Sequence, residues 1–196
     1  MIVFNSYDPQ DALKRVHDRI REFEQNKSVH LLLYAALDVR LCIERTLFEY
    51  LVLIKVSDLP RAMEKIYSAA DLNKAILNEE PNFKKKMEFM QVYAQYYGLS
   101  LPITLPDLEL LALCYGRANE YLHAPKKPDK TWLDIRWWDN LNLVLNKAMN
   151  HLVEIHSSFI WNIRLNERGQ KLFNRFSTGE LTKEELLKAF NIDIPD

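Results

Sequence analysis

Two residues near the middle of the 196-residue chain, Arg117 and His123, are of the types that phosphodiester chemistry on RNA calls for. An arginine grips a phosphate through the planar fork of its guanidinium. A histidine takes or gives a proton near neutral pH. Cleaving RNA without a metal needs a base for the 2′-hydroxyl, an acid for the leaving 5′-oxygen and a cation beside the phosphorane. His123 is the candidate acid or base, and Arg117 the candidate phosphate holder. Asn119 and Glu120 are candidates for orienting them. Spacing limits the scheme. Residues six apart lie about 120° apart around a helix, whereas Asn119 and His123, four apart, share a face. One chain is therefore a poor catalytic pair, and either a frayed helix end at His123 or a second copy carrying its own stretch would let the groups converge. Gly116, just before the arginine, would allow another backbone to come close. The structural alternative pairs Arg117 with Glu120, or stacks it along Tyr121, and makes His123 a cap at the negative end of the helix dipole.

The elements that must position this stretch read as helices throughout. Pro106-Asp107-Leu108-Glu109 opens the helix that carries it, with proline at the first position and acids where the dipole favours them. Pro125 and Pro128 forbid its continuation. Asp8-Pro9 opens a first helix that runs to about Gln25, with Leu13, Val16, Ile20 and Phe23 along one face. The spine is a helix from Val29 to Val56, apolar nearly all round and so expected to be surrounded by others. On it Asp38, Cys42, Arg45 and Glu49 form a stripe, and Arg40 pairs with Glu44. These charges are expected to tie the spine to its neighbours; alternatively, the stripe lines a cleft or a dimer seam. Further helices are expected from Pro60 to about Leu77, from Phe83 to Tyr97-Gly98, and from Thr131 to Ile163. A short piece ends at Ser177-Thr178-Gly179. Thr182 with Glu185 forms a capping box for a last helix ending near Phe190. The expected fold is all-α: an up-and-down helical bundle with long central helices over residues 1–163, then a small C-terminal helical appendage over 164–196.

Composition narrows the partners. Lys+Arg is 26 and Asp+Glu is 27, a net charge of -1, so any surface for nucleic acid must be a local basic patch. Lys126, Lys127 and Lys130 follow His123 directly and are the candidate RNA-binding residues. Arg136, set among Trp132, Trp137 and Trp138, could add phosphate contacts and base stacking. Trp132 and Trp138 are expected in the core or a dimer interface. Cys42 and Cys114 share no metal-type spacing and are expected as reduced thiols. His151 and His156 do not match His-Glu-x-x-His and sit about 140° apart on a helix. With no Gly-rich phosphate loop, no Gly-x-Ser-x-Gly elbow and no paired acidic clusters, neither a metal nor a cofactor is expected. The N-terminus lacks the features of a signal peptide, and charges interrupt the apolar run from Leu31 to Val56, so no membrane span is expected and the protein should be cytoplasmic.

An arginine, then four to six residues, then a histidine, late in an all-α bundle, resembles the signature of the HEPN superfamily. Here the stretch is Arg117-Ala118-Asn119-Glu120-Tyr121-Leu122-His123. The helix Leu37–Glu49 is similar to the early helix of such bundles, and the resemblance spans about Asp8 to Phe159. It implies a homodimeric, metal-independent endoribonuclease, often a toxin or defence effector with a neutralising antitoxin partner, that leaves 2′,3′-cyclic phosphate ends. It also implies Arg117 and His123 as the catalytic residues. That family usually has a polar residue directly after the arginine, where this chain has Ala118 with Asn119 one place later. The superfamily also contains inactive members, and a non-catalytic helical dimer binding RNA or protein is the alternative expectation.

Overall fold

A computed structural model of the chain describes residues 8–55, 68–98, 104–123, 134–158 and 165–191. These residues form eight α-helices and no strand. In chain order they are α1 (Pro9–Asn26), α2 (Val29–Lys55), α3 (Ala69–Glu79), α4 (Phe83–Tyr96), α5 (Leu108–Leu122), α6 (Ile135–His156), α7 (Glu167–Ser177) and α8 (Lys183–Asn191). The all-α bundle expected from sequence is the fold observed.

Local sequence accounts for the helix ends. The Asp8 carboxylate accepts from the Gln10 N–H at 2.9 Å, with Pro9 opening α1 where its missing N–H costs nothing. Lys27 closes α1 in a left-handed conformation (φ 56°), its N–H bonded to the Phe23 carbonyl at 2.7 Å. The Thr182–Glu185 capping box forms reciprocally, at 2.8 and 3.2 Å. Three starts differ from expectation, each because a nearer side chain caps the turn. Ser68 accepts from the Asp71 N–H, so α3 begins at Ala69; residues 60–67 of the run expected from Pro60 lie outside the described residues. Asp134 caps α6 at Ile135, later than Thr131, and the helix ends at His156, before Ile163. Asp107 is itself the N-cap of α5, which leaves Pro106 outside the helix rather than at its first position.

The α2 helix is the spine, packed by α1, α3, α5 and α6. Leu32, Val39, Ile43, Leu47 and Leu51 are fully buried along it. Asp38, the one buried charge among the described residues, is bound by Arg15 and Arg19 of α1, and Thr46 by His156 of α6. Of the spine's polar stripe, Asp38 makes the expected ion-paired tie to a neighbour, whereas Arg45 and Glu49 pair with each other along α2 and Thr46 lies outside the stripe. Trp138 is buried at the centre of the bundle, as expected; Trp132 lies outside the described residues.

A second, smaller core joins α4 to α7 and α8. Phe89, fully buried, sits among Phe173, Phe176 and Phe190, at ring-centroid distances of 5.6, 6.1 and 5.7 Å. The α4 helix thus serves both cores: Phe83 and Met87 belong to the main bundle, and Phe89, Met90 and Val92 to the C-terminal one. That sharing is the physical attachment of the appendage.

Candidate functional site

The α5 helix is held at three levels. At its start the Asp107 side chain accepts from the Leu110 N–H, and the Asp107 N–H donates to His151 Nε2 of α6, both at 2.9 Å. The other ring nitrogen of His151, Nδ1, lies 3.7 Å from Glu154. Halfway along, the Tyr115 hydroxyl donates to Glu44 Oε1 of α2 at 2.8 Å. The same oxygen accepts from Arg40 Nε at 3.3 Å, and the Arg40 guanidinium lies over the Tyr115 ring. At the C-terminal end the Tyr121 hydroxyl donates to the Trp137 carbonyl at 2.8 Å, with the two rings 4.0 Å apart. Burial raises the Tyr121 phenol's pKa, so that hydroxyl remains a donor.

Against this fixed side, the opposite side of α5 faces outward. Leu113, Gly116, Arg117 and His123 are exposed. Arg117 pairs with Glu120 at 3.1 Å, and its side chain is 56% exposed. An ion pair this open contributes under about 1 kcal/mol, so the guanidinium is easily redirected to a phosphate. His123 is the C-cap residue of α5, its N–H bonded to the Asn119 carbonyl at 3.0 Å. Its ring has no side-chain partner among the described residues. Asn119 therefore touches His123 through the backbone, and its amide does not orient the imidazole. Asn119 Oδ1 is buried with no hydrogen-bond partner among the described residues. Ala118 is fully buried against the bundle, which accounts for the apolar residue after the arginine: a polar side chain there would enter the core.

The expected pieces thus fall apart into two sets. Arg117 and His123 share the outer surface of one helix but lie about 120° apart around it and about 9 Å apart along it, so one chain does not set them against each other. Lys126, Lys127 and Lys130 lie outside the described residues. Arg136 is exposed and holds Asp134 through two contacts, at 3.0 and 2.9 Å. His151 and His156 serve different neighbours, α5 and Thr46, and no group of three metal-ligating side chains occurs among the described residues. The Arg40–Glu44–Tyr115 node escaped the sequence reading. Its available signal was a tyrosine on the apolar face of the motif helix, opposite an i, i+4 ion pair.

Two grooves lie elsewhere. One of about 450 Å³ is bounded by Leu77, Phe83, Met87 and the start of α5. The other, of about 470 Å³, lies between α1 and α6, over Leu13, Met149 and His156. Neither includes Arg117 or His123. Among the described residues, no helix is long and apolar enough to cross a membrane. No protein-family model, curated protein or solved structure matches the chain.

Proposed function

We propose that the chain is a metal-independent endoribonuclease, its centre completed when two copies set Arg117 of one against His123 of the other. The observation that carries this is the outward display, on one well-anchored helix, of an exposed arginine and an imidazole with no side-chain partner among the described residues. In the reaction the 2′-oxygen bonds to phosphorus as the P–O5′ bond breaks. One imidazole takes the 2′-hydroxyl proton, and the other copy's imidazole protonates the 5′-oxygen. Arg117 neutralises the charge gathering on the non-bridging oxygens. The products are a 2′,3′-cyclic phosphate and a 5′-hydroxyl. Lys126, Lys127 and Lys130, next in sequence, supply phosphate contacts on either side of the break. A cytoplasmic setting suits RNA as substrate and Cys42 and Cys114 as free thiols. An antitoxin partner, where one exists, would act by covering the outer face of α5.

A second proposal, a non-catalytic dimer that binds RNA or protein, draws support from the Arg117–Glu120 pair and from Ala118 in the place of a polar residue. Product chemistry separates the two. RNA fragments carrying cyclic phosphates, made by wild type and not by His123→Ala, support the nuclease. Binding of RNA without any fragment supports the module.

A further inference from the structure

The central helix displays more apolar surface than its own chain covers. Along α2, Tyr34, Leu37, Leu41 and Val52 are exposed, Tyr34 by 57% and Leu37 by 42%, and Phe48 is half-buried. At about 100° per residue these five lie within about 60° of one another around the helix, on a strip about 27 Å long. Tyr34, Leu41 and Phe48 recur every seven residues, the spacing of a helix paired with another helix. The ion pair Arg40–Glu44 borders the strip on the side where Tyr115 of α5 docks. Arg45–Glu49 borders the other side.

We infer that this strip is the seam of a homodimer, with α2 lying antiparallel to the partner's α2 about a twofold axis level with Cys42 and Ile43. The occupant follows from self-complementarity. In that register Leu37 comes opposite the partner's Phe48, Tyr34 opposite the partner's Val52, and Leu41 lies beside the partner's Leu41. A twofold axis returns each border of the strip to the same border of the other copy. Arg40 therefore comes level with the partner's Glu44, and Glu44 with the partner's Arg40. Apolar pairs and charge pairs select one register, which an unrelated partner would have no cause to match.

Gly116 adds an independent observation. It sits in the middle of α5, where glycine costs about 1 kcal/mol relative to alanine. A Cβ there would meet nothing within 4 Å among the described residues, so none of their contacts requires glycine. The α5 helix adjoins the Arg40–Glu44 border, so the twofold brings both α5 helices to the same side of the seam. There a missing side chain lets them approach. The seam supplies the second copy that the proposed nuclease needs but uses neither Arg117 nor His123, so it stands or falls separately.

The test is sedimentation equilibrium of the full chain, with circular dichroism confirming that each variant is folded. Wild type is expected to be a dimer, with Leu37→Glu and Leu41→Glu each raising its dissociation constant at least about tenfold. Arg40→Glu and Glu44→Arg are each expected to weaken self-association by setting like charges across the seam. An equimolar mixture of the two is expected to dimerise, because every cross-seam pair is then opposite in sign. That rescue acts only between chains. A monomeric wild type, a dimer indifferent to Leu37→Glu and Leu41→Glu, or a mixture no more associated than its components would overturn the inference. A wild-type dimer that cleaves no RNA would leave the seam intact and remove the nuclease; a dimer that cleaves RNA yet is indifferent to Leu37→Glu and Leu41→Glu would do the reverse.

Discussion

Replacing Phe89 by alanine should release the C-terminal helices while leaving the main bundle folded. Phe89 has no exposed surface and is ringed by Phe173, Phe176 and Phe190, so its loss removes the hub of the second core. Truncating a buried phenylalanine costs about 3–5 kcal/mol, some of it from the lost edge-on ring pairs. The second core is small, and a unit of that size holds only a few kcal/mol of net stability. Once undocked, the 11-residue α7 and 9-residue α8 fall below the length at which a helix persists alone in water. The main core should survive, because α4 enters it through Phe83 and Met87 and not through Phe89. Hydrogen exchange followed by mass spectrometry reads this directly: α7 and α8 amides should lose protection while α2 and α6 amides keep theirs. Phe89→Leu, which keeps apolar volume, should cost less than about 1.5 kcal/mol and preserve docking. Equal loss of protection across α2 and α7, or unchanged protection in α7 and α8, would refute the division into two cores joined through α4.

Other expectations are as direct. Burial holds the His156 pKa below its ordinary value, only partly opposed by Glu49 and Asp8. The unfolded chain then binds a proton that the folded chain resists, so stability should be full above about pH 6.5 and decline as pH falls below it. The slope from this one group is at most about 1.4 kcal/mol per pH unit. Urea unfolding at several pH values should show that slope in wild type and its reduction in His156→Gln; identical slopes would count against it. Glu120→Gln removes the anion that occupies Arg117 and should raise RNA affinity severalfold at low salt, measured by fluorescence anisotropy; unchanged affinity would show that Arg117 does not meet RNA. Asp38→Ala strands two arginines of α1 and should lower stability by about 2–3 kcal/mol, a figure discounted for their partial exposure. A change in melting temperature of under a degree would mean that α1 is held by its apolar face alone.

Periodicity and capping residues made most of the fold legible. The all-round apolar character of Val29–Val56 marked the surrounded spine, and Asp8-Pro9 and Thr182–Glu185 act as caps where expected. The misplaced starts share a cause. Ser68 and Asp134 cap helices by reaching two or three residues ahead, a local bond that an apolar pattern running straight past it conceals. The two-core arrangement was illegible for another reason. Nothing in Phe83–Tyr96 says that its two faces answer to different partners, because the partner of Phe89 lies more than eighty residues away. In the candidate site, the structural roles of Arg117 and His123 were legible from i, i+3 pairing and helix-end position. The neighbours that fix α5, among them Glu44, His151 and Trp137, are set by tertiary packing and carry no local signature.

Cleavage of RNA by Arg117 and His123 without a metal is what the proposed function stands on. It is tested most directly by incubating purified protein with a mixture of tRNA and mRNA in EDTA, beside folded Arg117→Ala and His123→Ala variants. Cleavage by wild type is expected to survive EDTA and to fall at least about a hundredfold in each variant. Equal cleavage by all three proteins, or none by a folded wild-type dimer, would contradict it.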